Sequence, residues 1–217
     1  MDEQALILKT IEFVKQELHN AEGGHDWWHI QRVWNNAKKI SETEMVNVFI
    51  VELAALLHDI ADSKFHFGDE EVGPAKAREF LLQQNVDAII IDHVEKIIRN
   101  ISFKGGNTIS DFQSLELDVV QDADRLDALG AIGIARTFNY GGFKNREIYN
   151  PEIKPNLLLS KEAYKNSSAP TLNHFYEKLL LLKDRMNTTT GKKLAAQRHL
   201  FMEEYLEQFF AEWNGDK

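Results

Sequence analysis

The spacing of apolar residues constrains the fold of this chain more than any other feature of its sequence. In the first segment, apolar residues fall roughly on one side of a helix: Leu6, Ile7, Ile11, Phe13, Val14 and Leu18. Similar spacing predicts further helices over residues 26–42, 44–61, from about 69 onward, 86–101, within 115–138, and 192–213. No convincing run of alternating residues indicates a strand, so the sequence predicts an all-α fold.

One long segment, residues 139–170, lacks this helical spacing. It contains the glycine pair Gly141-Gly142 and three prolines. Loops of this length inside a compact domain are usually either functional or disordered. We therefore interpret the segment either as a lid over a functional site or as a surface loop packed by its own aromatic residues.

Composition limits the chemistry and the partners. The chain has no cysteine, so disulfides, thiolate metal sites and cysteine nucleophiles are excluded, and we expect a cytoplasmic protein. A formal net charge of −9 argues against binding a nucleic-acid polymer, although a small phosphorylated substrate remains compatible. No apolar run approaches the ~20 residues of a membrane helix. The apolar stripe of the final helix predicts a packing surface, with a homodimer seam as the alternative.

Four polar residues stand out against this helical background. His58 and Asp59 follow an apolar helix that ends in Leu56-Leu57, while His29 lies earlier and Asp124 later in the chain. Two imidazoles and two carboxylates form a nitrogen and oxygen ligand set that leaves open positions on an octahedral divalent cation. On spacing alone, hydrogen-bonded structural roles for these residues stay open.

Three blocks around these residues resemble the signature of the HD superfamily of metal-dependent phosphohydrolases: His29-x-x-Arg32-Val33, Leu57-His58-Asp59-Ile60 and Ala123-Asp124-Arg125-Leu126-Asp127-Ala128. The resemblance implies an enzyme holding one divalent metal ion on His29, His58, Asp59 and Asp124. Mn²⁺ is the expected ion, with Fe²⁺, Co²⁺, Ni²⁺ and Mg²⁺ as alternatives. It also implies hydrolysis of a phosphoester or phosphoanhydride bond in a small phosphorylated substrate.

The resemblance spans residues 25–136 and implies a single HD-type helical bundle over residues 1–217, completed by the segment 139–170 and by helices within 171–213. The strings HDWWH, HDIADSKF, NISFKGG and QDADRLDALGAIGIAR look like a bacterial branch of the superfamily. Some members of that branch are implicated as nucleotide pyrophosphohydrolases. The expected substrate is therefore a nucleotide, and the specific reaction considered is conversion of a nucleoside triphosphate to the monophosphate and pyrophosphate.

Three aspartates compete for the last ligand position. The family pattern places the ligand in the Ala-Asp-x-Leu element, which gives Asp124. Asp127 follows on the same helix face and is expected to accept a hydrogen bond from a ligating imidazole. Asp122 is expected to begin the helix as an N-cap or first-turn carboxylate.

Further residues are predicted to support the reaction. In related HD nucleotidases an acidic residue at the position of Asp62 orients or deprotonates the attacking water, and Lys64 would hold a phosphate. The alternatives are a polar loop residue at the helix end and a solvated surface lysine. His25, Arg32 and Arg125 are expected to contact the substrate phosphates. Asp26 as a simple N-cap and charge neutralisation by the arginines stay open as alternatives.

Two other functions remain open at this point. A second metal would need His66 and His93 to converge, and a di-iron oxygenase on a related helical scaffold would need the same two ligands. Lone histidines are more often structural or solvated. A nucleotide-sensing module that binds a metal without turnover is the other alternative, and the presence of Asp62 and Lys64 argues weakly against it.

Overall fold

The structure, a computed structural model, describes residues 2–19, 26–61, 69, 71–101, 112–157 and 168–217. Within these residues the regular elements are all helices, which confirms the predicted all-α fold. The helices are α1 (Glu3–Glu17), α2 (Trp27–Ser41), α3 (Val48–Leu57), α4 (Val72–Gln83), α5 (Ala88–Ile101), α6 (Leu115–Asp127), α7 (Gly130–Phe143), α8 (Asn173–Glu177), a 3₁₀ helix (Leu179–Arg185) and α9 (Thr189–Asn214). In the described part of the chain, no helix is both long and apolar enough to cross a membrane.

The chain divides into two compact units, Met1–Asp124 and Arg125–Lys217, and α6 runs across the boundary between them. The first unit is built around α3, against which α1, α2 and α5 pack. Burial on several sides explains why α3 is apolar almost throughout and carries little polar face. The prediction that residues 1–217 form a single domain stays a prediction.

Side-chain caps set the start of helices α2 and α3 in the first unit. The Asp26 carboxylate accepts a hydrogen bond from the backbone N–H of His29 at 3.0 Å, so the first turn of α2 begins beside that histidine. The Asn47 side chain accepts from the N–H of Ile50, and α3 therefore begins at Val48 rather than near Glu44 as predicted.

In the second unit, α9 packs against α7 and the 3₁₀ helix. Helix α7 continues through Phe143, so the first five residues of segment 139–170 are helical, whereas its described residues 144–157 and 168–170 are not. Gly141 is required where α7 meets the chain at Thr171, because a Cβ atom at this glycine would lie 2.1 Å from the Thr171 Oγ1 atom. The final helix begins earlier than predicted, since the Thr188 hydroxyl caps it by accepting from the N–H of Gly191.

Candidate metal centre

The structure brings the four predicted metal ligands together in the first compact unit. His29, His58 and Asp59 each offer a donor atom, and these atoms lie within 4.8 Å of one another. The His29 Nε2 atom is also 3.6 Å from the Asp124 Oδ1 atom. The His29 and His58 rings meet edge to face, with their centroids 5.3 Å apart. The cluster therefore offers two imidazoles and one carboxylate, and the Asp124 carboxylate lies beside His29.

Three helices supply these side chains. His29 lies in the first turn of α2 and is buried, with 2% of its surface exposed. His58 and Asp59 follow the last residue of α3, where the helix ends. Adjacent residues on a helix point about 100° apart, so they can reach one ion only at the flank of a helix end, where this pair lies. Asp124 comes from α6 and is 39% exposed at its side chain.

The hydrogen bonding of His58 leaves one ring nitrogen for a metal. Its Nδ1 atom lies 2.9 Å from the backbone carbonyl oxygen of Ala55, an arrangement in which Nδ1–H donates and Nε2 keeps its lone pair. Burial lowers the pKa of His58, and the nearby charge of His29 acts in the same direction, while Asp124 and Asp59 oppose the shift. The net lowering favours the neutral imidazole that a metal requires.

The donor set fits a divalent cation. Neutral imidazole and carboxylate donors without sulfur suit Mn²⁺, Fe²⁺, Co²⁺ or Ni²⁺. Asp59 is half-buried and Asp124 is partly exposed, so the carboxylate side of the cluster is open to solvent. That side could admit a substrate to the positions that the protein leaves unfilled.

Asp122 and Asp127, the two other aspartates considered for the last ligand position, are both buried. The prediction that Asp122 begins the helix is wrong, because α6 starts at Leu115 and Asp122 is fully buried within it. Asp127 is buried and accepts a hydrogen bond from the Arg136 guanidinium. Its role as the acceptor for a ligating imidazole stays a prediction.

Several predicted substrate and catalytic residues remain predictions. Arg32 is half-buried on α2, one turn after His29, and Arg125 donates to the backbone carbonyl of Arg185 at 2.6 Å. Outside the described residues lie His25, Asp62, Lys64 and His66.

His93, which a second metal site would have to bring together with His66, lies within the described residues. Its Nε2 atom lies 3.0 Å from the Ser114 hydroxyl and 3.6 Å from a Glu116 carboxylate oxygen. The cluster formed by His29, His58 and Asp59 does not include it.

One residue at this site was missed in the sequence. The Asn36 side-chain amide on α2 donates a hydrogen bond to the backbone carbonyl of Ala123, the residue before Asp124. The sequence feature that could have indicated this role is the position of Asn36 two turns after His29 on the same helix. The acceptor is a backbone atom, however, and no residue type in the sequence marks it.

Comparison with known proteins agrees with this geometry. The HD domain family matches residues 27–129 of the chain, a range that contains all four clustered residues. The protein YpgQ of Bacillus subtilis (strain 168) is 39% identical over 197 residues, which cover 90% of this chain and 88% of that protein.

Two solved structures are similar along almost the whole chain. An HD-superfamily hydrolase from Bacillus thuringiensis is 48% identical, with a TM-score of 0.79 and 98% of each chain covered. Bacillus subtilis YpgQ in complex with ADP superimposes with a TM-score of 0.77, covering 98% of this chain and 97% of that one. Identity over that longer structural alignment is 34%.

Proposed function

Because this chain belongs to the HD domain family, we propose that it is a metal-dependent phosphohydrolase that acts on a small nucleotide. The cluster of His29, His58 and Asp59, with the Asp124 carboxylate 3.6 Å from His29, is the observation that carries the proposal, since donors of these types suit a divalent cation. The complex of Bacillus subtilis YpgQ with ADP supports a nucleotide as the substrate class. The reaction proposed is cleavage of a phosphoanhydride bond, releasing pyrophosphate from a nucleoside triphosphate.

In this reaction His29, His58, Asp59 and Asp124 would hold the cation, with Mn²⁺ as the expected ion. When bound, the cation supplies Lewis-acid polarisation of the phosphate and lowers the pKa of water. The neutral state of His58, favoured by its burial, keeps its Nε2 lone pair ready for ligation. The Asp124 side chain is 39% exposed, and a phosphate would approach the cation from that side.

Residues predicted from the sequence would activate the water, bind the phosphates and protonate the leaving group. Asp62 would orient the attacking water and accept its proton as the new P–O bond forms and the bridging P–O bond breaks. Lys64 and Arg32 would bind phosphate oxygens, and Arg125 would do the same. His25 would contact phosphate or donate a proton to the leaving group.

We also propose that the protein acts on free nucleotide in the cytoplasm. A net charge of −9 opposes binding to the phosphates of a nucleic-acid polymer, whereas a single nucleotide needs only a few local cations. Self-association through α9 is a further proposal, supported by the exposed side chains of Leu200 and Phe201 on that helix.

The test is a nucleotide screen of the purified protein. Metal is removed with a chelator, Mn²⁺ or another divalent ion is added back, and orthophosphate and pyrophosphate are measured separately. We expect hydrolysis only after metal is restored, with pyrophosphate released from a triphosphate. His29→Ala should abolish it, whereas His19→Ala, at an exposed histidine, should not. Binding of nucleotide without any turnover, across all the metals, would instead indicate a sensing module.

A further inference from the structure

Helix α2 carries a second polar side chain directed at the helix that supplies Asp124. The Asn36 Nδ2 atom donates to the backbone carbonyl oxygen of Ala123 at 3.1 Å, across 87 positions of sequence. Asn36 lies about two helical turns after His29, and Ala123 directly precedes Asp124. This hydrogen bond therefore joins the two helices that supply the proposed ligands His29 and Asp124.

Buried small or apolar residues lie close to Asn36 and to Ala123 along the chain, and packing of such residues sets the relative position of two helices less precisely than a hydrogen bond does. Val33 and Ala37, on either side of Asn36 along α2, are fully buried, as is Ala123. Apolar contacts are non-directional, so helices joined by small residues can slide or rotate with little loss of buried area. A hydrogen bond depends on distance and angle and favours one relative position.

The spacing between His29 and Asp124 depends on that relative position. Their Nε2 and Oδ1 atoms are 3.6 Å apart, close enough to be two ligands of one ion. A shift of α6 along α2 by a fraction of a turn would move the Asp124 carboxylate away from His29, because a helix rises about 1.5 Å per residue. Metal affinity is sensitive to such ligand displacement.

We propose that Asn36 is a positioning residue of the metal centre: its hydrogen bond to Ala123 holds Asp124 at the correct distance from His29 and thereby sets the affinity for the divalent cation. The inference rests on the proposed function, because it takes the four clustered residues to be metal ligands. Asn36 is half-buried, and in this proposal it acts through the α6 backbone rather than as a metal ligand.

The test is the Mn²⁺ dissociation constant of metal-free protein, measured by titration calorimetry or by competition with a chelator. Asn36→Leu keeps the branched shape of the side chain but removes the amide donor. We expect Mn²⁺ binding to weaken by ~10-fold or more, the usual effect of losing a residue that orients a ligand. The matched control is Asn35→Leu, the same change at the exposed neighbouring position on α2, which should bind Mn²⁺ as the parent does.

Two further measurements separate positioning from a general loss of structure. The Tm of each metal-free variant reports folding, and Asn36→Gln, which keeps an amide donor on a longer side chain, should recover part of the lost affinity. If Asn36→Leu fails to fold, Asn36→Ser is measured in its place. The inference is overturned if the Asn36 variants bind Mn²⁺ within about threefold of the parent, far short of the usual effect of such a residue. It is also overturned if the loss is as large in Asn36→Gln as in Asn36→Leu.

Mn²⁺ binding by the parent protein distinguishes a failure of this inference from a failure of the proposed function. If the parent binds no divalent cation, the proposed function fails, and the inference fails with it. If the parent binds Mn²⁺ and the Asn36 variants bind it equally well, the inference alone fails.

Discussion

At the scale of single residues, the carboxylates of α6 show how strongly a side chain's role depends on its position around a helix. Asp122 and Asp124 are two positions apart and therefore point about 200° away from each other. Asp122 is fully buried, whereas Asp124 is partly exposed, lies 3.6 Å from His29 and contributes its charge at His58. The two histidines and Asp59 complete a set of donors that matches the needs of a divalent cation.

The predicted catalytic role of Asp62 is tested by Asp62→Asn, which keeps the shape of the side chain and removes its basicity. We expect kcat to fall by ~10²–10⁴, the usual contribution of one general base. Metal content should stay unchanged because the four ligands are intact, and KM should change little because a carboxylate does not attract phosphate. Steady-state kinetics and elemental analysis of the same preparation provide the measurement.

The control is Asp69→Asn, the same change at the next aspartate along the chain, which is exposed. A kcat of Asp62→Asn within about threefold of the parent, well under the general-base range, would make Asp62 structural. Loss of the metal in this variant would place Asp62 among the ligands and show that the proposed ligand set is wrong.

At the scale of helices, α4 and α5 are joined by a network of ion pairs. Arg78 of α4 contacts Asp92 and Glu95 of α5 at 2.7 Å and 2.6 Å. Arg99 contacts the same Glu95 at 2.7 Å and also pairs with Glu71. Glu95 is the shared acceptor, and only 15% of its side chain is exposed, so it connects the two arginines. Such networks contribute more than isolated surface pairs.

The Glu95 carboxylate makes part of the parent protein's stability depend on pH, and replacing it with glutamine should remove that part. Burial opposes the charge of Glu95, but hydrogen bonds from Arg99 and Arg78 outweigh it and lower its pKa below the ordinary value of 4.5. Because the pKa of Glu95 is lower in the folded state than in the unfolded state, its negative charge stabilises the folded protein. This contribution is fully present above the unfolded-state pKa and is lost as the pH falls through the folded-state pKa. Glu95→Gln should therefore lower the free energy of unfolding by ~1 kcal/mol at about pH 7.

Urea unfolding of Glu95→Gln and the parent, repeated from neutral to acidic pH, provides the measurement. The difference between them should shrink below the unfolded-state pKa of 4.5. Glu79→Gln, an exposed change on α4, serves as the control. The stabilising role of the ion-pair network would be contradicted if the parent and Glu95→Gln were equally stable at neutral pH. It would also be contradicted if the difference in their free energies of unfolding did not shrink in acid.

The sequence predicted the helices well where their apolar spacing is strong and less well where single side chains set their ends. The helix predicted from Glu3 to Leu18 forms over Glu3–Glu17. The start of α3 differs because the Asn47 cap determines it. The sequence did not predict the 3₁₀ helix, because the run from Leu179 to Leu182 is apolar on every side and favours no helical face.

The ligand set was predictable for a different reason. Histidine and aspartate side chains carry the chemistry, so the residue types themselves mark the site in the sequence. The bond from Asn36 to the Ala123 carbonyl leaves no such mark, because every residue has a backbone carbonyl. The role of Asp122 was mispredicted because its burial depends on tertiary packing, which its local sequence does not reveal.

At the scale of the whole molecule, the proposed ligands are all contained in the first compact unit. Asp124 is the last residue of that unit, and the HD domain match extends only to residue 129. The second unit contains the segment that begins at Lys144, where α7 ends. The prediction that residues within 139–170 act as a lid stays a prediction.

Limited proteolysis tests the lid. If the segment responds to ligand, cleavage after Lys144, which is exposed, should slow when nucleotide and Mn²⁺ are present together. His29→Ala, which should not hold the metal, is the control and should show no protection. The same cleavage pattern in the parent protein with and without nucleotide and Mn²⁺ would remove the lid interpretation.

The central claim is that one divalent cation binds at His29, His58, Asp59 and Asp124, and metal content tests it most directly. The parent and Asp59→Ala are loaded with Mn²⁺, dialysed and measured by elemental analysis, with Asp184→Ala, at an exposed aspartate, as the control. We predict stoichiometric Mn²⁺ in the parent and in Asp184→Ala, and little or none in Asp59→Ala, because an anionic ligand is lost. Stoichiometric metal in Asp59→Ala would contradict the assignment.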